Sequence, residues 1–251
     1  MSEIVIRNVS KTFQSRAGKQ RLALDNIDVR VPAGSFTCIV GASGCGKSTL
    51  LNMIGGLQTP TEGSVTVGGV EVDGPGVDRG MVFQSYALYP WLTVRENVEF
   101  GLRMARKGRA ERRKVSDGLL AEMGLADCAD SYPRELSGGM RQRVAIARSL
   151  ATDPPVMLMD EPFGALDALT RISAQRMLLE IWQRHRRTIV FVTHDINEAL
   201  LLGDQVVVLS TSPGRVKKIL DVDFARPRTP EVSTTPEFVE MREQVLSLIF
   251  E

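Results

Sequence analysis

The sequence predicts an α/β fold: a core with a mostly parallel sheet, an N-terminal antiparallel β lobe and an inserted helical subdomain. Three observations lead there. Phe36-Thr37-Cys38-Ile39-Val40, Val156-Met157-Leu158-Met159 and Thr188-Ile189-Val190-Phe191-Val192 are near-continuous apolar runs separated by helical stretches, the pattern of strands buried on both faces. Ile4-Val5-Ile6, Ile27-Asp28-Val29-Arg30-Val31 and Val65-Thr66-Val67 are β-branched and punctuated by Pro32, Gly34 and Gly63, which suits the short strands of an antiparallel lobe. Residues from about Val94 to Leu150 are helical in character, with breaks at Gly108, Gly124 and Pro133.

The elements follow in chain order. The first two β-rich runs open the lobe, and the Phe36–Val40 strand feeds a glycine-rich loop. Lys47-Ser48-Thr49-Leu50-Leu51-Asn52-Met53-Ile54 then reads as a helix. After Asp153-Pro154-Pro155 come the two later core strands with a helical stretch between them. Beyond Pro213 the chain holds Pro227, Pro230 and Pro236, then a helical run from Glu237 to Phe250. The expected division is a single domain over 1–251: core and β lobe at about 1–84 and 151–215, helical subdomain at about 85–150, C-terminal extension at about 216–251. There is no internal repeat and no low-complexity tract.

Composition narrows the function. A net charge of +1 supplies no overall field for gripping nucleic acid. No apolar run approaches the roughly 18–20 residues that span a bilayer. The N-terminal segment, with Glu3 and Arg7 among its apolar residues, reads as a strand and not as a signal peptide. Cys38, Cys45 and Cys128 have neither metal-like spacing nor a C-x-x-C pair, which fits a reducing cytoplasm.

Three motifs carry chemistry. Gly41-Ala42-Ser43-Gly44-Cys45-Gly46-Lys47-Ser48 fits G-x-x-x-x-G-K-[ST] between a strand and a helix. Glycines let backbone N–H groups approach phosphate closely; Lys47 is a cationic clamp on the terminal phosphates, and Ser48 offers a hydroxyl to Mg²⁺. Cys45 fills a position that asks only for a small residue. Val156-Met157-Leu158-Met159-Asp160-Glu161 ends a buried strand in two carboxylates, at the sheet edge where open α/β folds bind ligands. Asp160 can serve the Mg²⁺ shell, and Glu161 can polarise water as a general base; acids that merely cap a strand end are the alternative. Ser137-Gly138-Gly139 opens a helix on which Met140, Val144, Ala147 and Ala151 share a face, with Ser137 suited to the N-cap. Its exposed N–H groups make a second anion site, or else an ordinary glycine-initiated helix. Two such sites and one γ-phosphate favour a head-to-tail homodimer, each copy closing over ATP held by the other.

With Leu136-Ser137-Gly138-Gly139-Met140-Arg141-Gln142 added to these motifs, nearly the whole chain resembles the ATPase subunit of ABC transporters. The resemblance implies a P-loop ATPase core that binds ATP and Mg²⁺ through the loop from Gly41 to Thr49, with Ser137, Gly138 and Gly139 acting in trans. It also implies that Gln84, ending Met81-Val82-Phe83-Gln84, senses Mg²⁺ and water. Asp167, in Ala165-Leu166-Asp167, lies in the loop that meets the partner copy, and His194 contacts the γ-phosphate. Phe13 occupies the adenine-stacking position, where the family more often has Tyr or Trp; a half-buried strand aromatic is its other reading. His185, within Arg184-His185-Arg186-Arg187, reads as a solvated helix end.

Within the family, Gly74-Pro75-Gly76-Val77-Asp78-Arg79-Gly80, Leu88-Tyr89-Pro90-Trp91-Leu92-Thr93-Val94 and Ser212-Pro213-Gly214-Arg215-Val216 resemble the nitrate, sulfonate and taurine importer ATPases. Pro236-Glu237-Phe238-Val239-Glu240-Met241-Arg242 is similar to the taurine members. The implied partners are membrane permease subunits, a second copy of the chain and, indirectly, a solute-binding protein, at the cytoplasmic face of the bacterial plasma membrane. No nucleic acid is expected, and the basic run from Arg103 to Lys114, interleaved with Glu111, reads as a solvated helical face. The rival class is a soluble ABC ATPase acting on nucleic acid or ribosomes, but the long coiled-coil insertion or duplicated core of those proteins is missing. Ser85-Tyr86-Ala87-Leu88-Tyr89-Pro90-Trp91-Leu92 is apolar for a loop. Either these side chains pack inside, or they form the groove that receives a permease helix.

Overall fold

The computed structural model describes residues 2–14 and 18–250. The chain divides into two compact units: Met1–Gly76 with Leu158–Asp160 and Arg186–Glu251, and Val77–Met157 with Glu161–His185.

The first unit begins with β1 (Ile4–Gln14) and β2 (Gln20–Val31), then β3 (Phe36–Val40), α1 (Lys47–Ile54), β4 (Glu62–Val67) and β5 (Val70–Glu71). The antiparallel lobe is a sheet in the order β2-β1-β4-β5. Its strands run further than apolar alternation indicates: β1 continues through Lys11, Thr12, Phe13 and Gln14, paired with Leu24, Leu22, Arg21 and Gln20. Register shifts along that ladder break the period of two, and left-handed Asn8 (φ 48°) and Asn26 (φ 49°) accompany them. The pairing therefore hides from a simple pattern.

The unit resumes with β8 (Thr188–Val192), α6 (Ile196–Leu202), β9 (Gln205–Leu209), β10 (Val216–Asp221) and α7 (Pro236–Phe250). β3 pairs parallel with both β8 and β9, and β10 lies antiparallel on β9. Every residue of β3 and β8 is buried; burying a Val, Ile or Phe side chain is worth roughly 1.5–3 kcal/mol, so these strands anchor the sheet. Residues 216–221, expected to open the C-terminal extension, form a sheet strand instead. The extension after it is tied back by Arg228, which is 7% exposed. Its guanidinium donates to the carbonyls of Phe224, Leu200 and Val222 at 3.0, 3.0 and 2.7 Å, and also to that of Gly203. Burial, and secondarily the charge of Arg226, pull its pKa down to about 10, which leaves it charged at neutral pH.

The second unit contains β6 (Arg79–Val82), α2 (Val94–Met104), α3 (Arg109–Glu122), α4 (Gly138–Leu150) and α5 (Ala168–His185). β7 (Val156–Asp160) is divided, Val156 and Met157 falling in this unit and Leu158–Asp160 in the other. The breaks fall where the sequence punctuates: α3 starts after Gly108, and Thr93 with Glu96 forms a complete capping box at the start of α2. The basic run pairs with nearby carboxylates, Lys107 with Glu111, Arg112 with Glu99 and Arg113 with Asp117. Among the described residues no helix is long and apolar enough to cross a membrane.

Candidate active site

In the first unit the loop after β3 wraps a buried lysine. Lys47 is 6% exposed, and its Nζ donates to the carbonyls of Gly41 and Ala42 at 2.8 and 3.1 Å. The cation is thereby held at the mouth of α1, while Ser43 and Gly44 stay exposed. Gly46, the N-cap, sits at φ +100°, and a Cβ there would come within 2.6 Å of the Leu24 Cδ2. No side chain caps α1, so its first N–H groups remain available to an anion. Cys45 is fully buried, consistent with a packing role.

Ser48 and Asp160 meet: the Ser48 hydroxyl donates to Asp160 Oδ1 at 3.0 Å. This brings hydroxyl and carboxylate oxygens together at the loop, the hard donor types that Mg²⁺ prefers beside phosphate oxygens. The residues present thus fit ATP with Mg²⁺: a cation for the phosphates, uncapped N–H groups and two oxygen donors. His194 follows β8 and is exposed. Its neighbours are fixed, since the Thr193 N–H donates to the Ile39 carbonyl at 3.2 Å and Asp195 caps α6 by accepting from the Glu198 N–H at 3.2 Å.

In the second unit, Gln84 Nε2 donates to Glu161 Oε2 at 3.4 Å. Glu161 has φ +42°, an uncommon conformation for a non-glycine residue and one found at functional turns. Ser137 caps α4 as expected, its side chain accepting from the Met140 N–H at 3.3 Å. Gly139 is packed so closely that a Cβ would lie 2.3 Å from the Thr170 Cγ2. Asp167 caps α5, accepting from the Thr170 N–H at 3.1 Å. Hydrogen bonds from Thr170 hold its carboxyl below the ordinary value. The side chain is exposed and remains accessible beyond this local role.

Phe13 is 39% exposed on β1, with the Lys11 ammonium 5.4 Å from its ring centroid. It is a surface aromatic, not a core one. Trp91 is 70% exposed, so the packed-inside reading fails for it. Tyr89, by contrast, is half-buried, its ring 4.4 Å from that of Phe100 and 5.6 Å from that of Trp91.

Supporting residues went unnoticed in the sequence. Gly214, in a Ser-Pro-Gly stretch that served only as a family marker, lies under the phosphate loop. A Cβ there would be 2.1 Å from the Cys45 carbonyl oxygen and 2.9 Å from the Leu24 Cδ2. Asn97, fully buried in α2, accepts from the Tyr89 N–H at 2.8 Å and donates to the carbonyls of Tyr89, Leu92 and Thr93. A polar residue at an apolar-face position of α2 was the available signal. Arg148 donates to the carbonyls of Ala87 and Tyr86, fixing the start of the same loop.

A phosphate loop feeding a helix, with a strand-end carboxylate bonded to the loop's serine, defines the class of a P-loop ATPase. Residues 24–164 match the family described as ABC transporter, and the chain belongs to that family. It is 47% identical over 250 residues to the nitrate import ATP-binding protein NrtD of Synechocystis sp. (97% of this chain, 94% of that one). To the bicarbonate transport ATP-binding protein CmpD of the same organism it is 45% identical over 251 residues (98% and 89%). Among solved structures, a dimeric bacterial ABC transporter cassette superposes with a TM-score of 0.79 at 37% identity, covering 88% of this chain and all of that one. A dimeric cassette in a post-hydrolysis state with ADP and Pi gives 0.78 at 36%, with the same coverage. The chain is an ATPase.

Proposed function

We propose that this chain is the ATP-hydrolysing subunit of an importer for a small anion, working as a head-to-tail homodimer bound to permease subunits at the cytoplasmic face of the plasma membrane. The observation that carries the catalytic part is the Ser48–Asp160 hydrogen bond beside the buried Lys47. The relatives named for nitrate and bicarbonate import favour an inorganic anion, with taurine and other sulfonates as further members of the same cargo class.

In this reading the Gly41–Thr49 segment binds the phosphates. Lys47 exchanges its two loop carbonyls for phosphate oxygens, an exchange that costs little because the ammonium is already desolvated and aimed. Ser48, Asp160 and Gln84 would hold Mg²⁺, which would supply charge neutralisation to the bound phosphates. Glu161 takes a proton from the attacking water, and Gln84, hydrogen-bonded to it, orients the carboxylate. His194 reads the γ-phosphate. Ser137, Gly138 and Gly139 present the α4 N-terminus to ATP held by the other copy, beside Asp167, and Phe13 stacks on adenine.

The test is uptake. Proteoliposomes holding the chain with a permease that co-purifies with it, and a solute-binding protein of that permease, should accumulate labelled nitrate, bicarbonate or taurine only when Mg-ATP is supplied on the side of this subunit. ATP turnover without accumulation of any of the three overturns the cargo assignment. Turnover stimulated by nucleic acid, with no permease association, favours the soluble class instead.

A further inference from the structure

Phe13 stands in an unusually constrained setting for a half-exposed strand aromatic. The Lys11 ammonium lies 5.4 Å from the ring centroid and donates to the Thr59 carbonyl at 2.6 Å. The 59–61 segment holds β1 on both sides of this lysine. The Thr61 N–H donates to the Ser10 carbonyl at 2.9 Å, and Thr61 Oγ1 accepts from the Thr12 N–H at 3.0 Å. Lys11 is therefore a tethered cation, with one end of its side chain fixed by β1 and the other by the Thr59 carbonyl.

We infer that Lys11 is a positioning residue for nucleotide binding: tethered to the Thr59 carbonyl, it holds the Phe13 ring by a cation–π contact so that the ring is ordered before adenine arrives. The inference rests on the adenine-stacking role proposed for Phe13. A cation over one side of a ring is attracted to the quadrupole and leaves the other side for a second π-system. An exposed phenyl group without such a hold loses rotamer freedom on binding its ligand, which weakens affinity. The ammonium is committed to a carbonyl and a ring, so its contribution is to the base and not to the phosphates. Phe offers no hydroxyl or indole N–H to anchor itself. A separate anchor compensates for that.

The experiment compares ATP with inorganic tripolyphosphate, which lacks the base, by calorimetry on the full chain carrying Glu161→Gln to suppress hydrolysis. Lys11→Met keeps the aliphatic stem and removes the charge. It should raise the Kd for ATP about two- to fivefold, the size of an exposed cation–π contact, and leave the Kd for tripolyphosphate unchanged. Lys11→Arg should restore ATP binding, and Lys11→Met should add no further loss on top of Phe13→Ala. Equal losses for ATP and tripolyphosphate would reveal a general charge effect and overturn the inference. So would unchanged ATP affinity in Lys11→Met, or an undiminished loss on the Phe13→Ala background. If Phe13→Ala itself leaves ATP affinity unaltered, the adenine assignment falls, and Lys11's role with it.

Discussion

Ser48 and Asp160, 112 residues apart in the chain, are joined by a 3.0 Å hydrogen bond from the hydroxyl to the carboxylate. One ends the phosphate loop and the other ends β7, so the bond ties the first turn of α1 to the carboxyl edge of the sheet. Under the proposed function it would also give the oxygen pair a defined geometry before a metal arrives, which would lower the reorganisation that binding requires.

The first prediction follows from that pair. Ser48→Ala should lower the apparent Mg²⁺ affinity of the ATP complex at least about tenfold, since hydrogen bonds and ligands to charged groups are worth about 1.5–3 kcal/mol. In EDTA the variant and the parent should bind ATP alike. Titrating Mg²⁺ at fixed ATP measures the first effect; a loss of the same size in EDTA would move Ser48 out of the metal shell.

Glu161→Gln should bind ATP normally and fail to hydrolyse it. The amide keeps the shape and can still pair with Gln84, whose Nε2 now meets Glu161 Oε2 at 3.4 Å. It cannot accept a proton from water, and losing a general base costs typically about 10²–10⁴-fold in rate. ATP-bound dimer should accumulate on gel filtration. Turnover within a few-fold of the parent would remove Glu161 from that role.

Asp167 gives a pH prediction. Hydrogen bonds from Thr170 depress its carboxyl below the ordinary 3.8. A depressed folded pKa means that the ionised cap contributes stability above the unfolded value and loses it as pH falls through the folded one. The N-terminal turn of α5 should therefore hold at neutral pH and loosen only below about 4. The protection factor of the Thr170 amide, which corrects for the slower intrinsic exchange in acid, should fall across that acidic window in the parent. In Asp167→Asn the acceptor survives without the charge, so the pH dependence should flatten.

The loop around Lys47 and the pairing of Ser48 with Asp160 were legible because a loop proposed to hold phosphate and metal admits few residue types: glycine where backbone must approach, lysine, a hydroxyl, a carboxylate at a strand end. β3, β7 and β8 were legible because strands buried on both faces are almost wholly apolar. The extended pairing of β1 was not, since its register shifts interrupt the alternation that would announce it. Gly214 under Cys45 was not legible either, because only folding brings the two near, and the hold on Lys11 was hidden for the same reason, since its partner is the Thr59 carbonyl.

Asn97 should prove a structural keystone for the loop before α2. Its amide oxygen accepts from the Tyr89 N–H, and its two N–H hydrogens are shared among the carbonyls of Tyr89, Leu92 and Thr93, at distances from 2.8 to 3.1 Å. Asn97→Leu keeps the branched skeleton and leaves the Tyr89 N–H and the carbonyls of Tyr89 and Leu92 to find other partners, while the Thr93 carbonyl keeps the Asn97 backbone N–H. Each buried group left unsatisfied costs about 1–3 kcal/mol. The variant should lose about 3 kcal/mol in denaturant unfolding, and the Tyr89 amide should lose its exchange protection. A loss below about 1 kcal/mol would mean that water replaces the side chain there.

That anchoring separates the loop's structural residues from the ones it displays. Tyr89 is packed against Phe100, and Asn97 holds its backbone, so replacing Tyr89 would disturb the fold along with any docking function. Trp91 is different: it is 70% exposed, touching the Tyr89 ring at 5.6 Å between centroids. Removing it costs little core. An exposed tryptophan among half-buried apolar neighbours is the composition of a binding hot spot, and truncating one typically costs 2 kcal/mol or more in affinity. Trp91→Ser should therefore leave the unfolding midpoint and the basal ATPase rate of the isolated subunit close to the parent. In proteoliposomes with the permease it should cut solute uptake per ATP hydrolysed, and it should weaken co-purification with the permease by roughly tenfold or more. Uptake equal to the parent's would place the permease contact on another surface; a fallen unfolding midpoint would make Trp91 a packing residue.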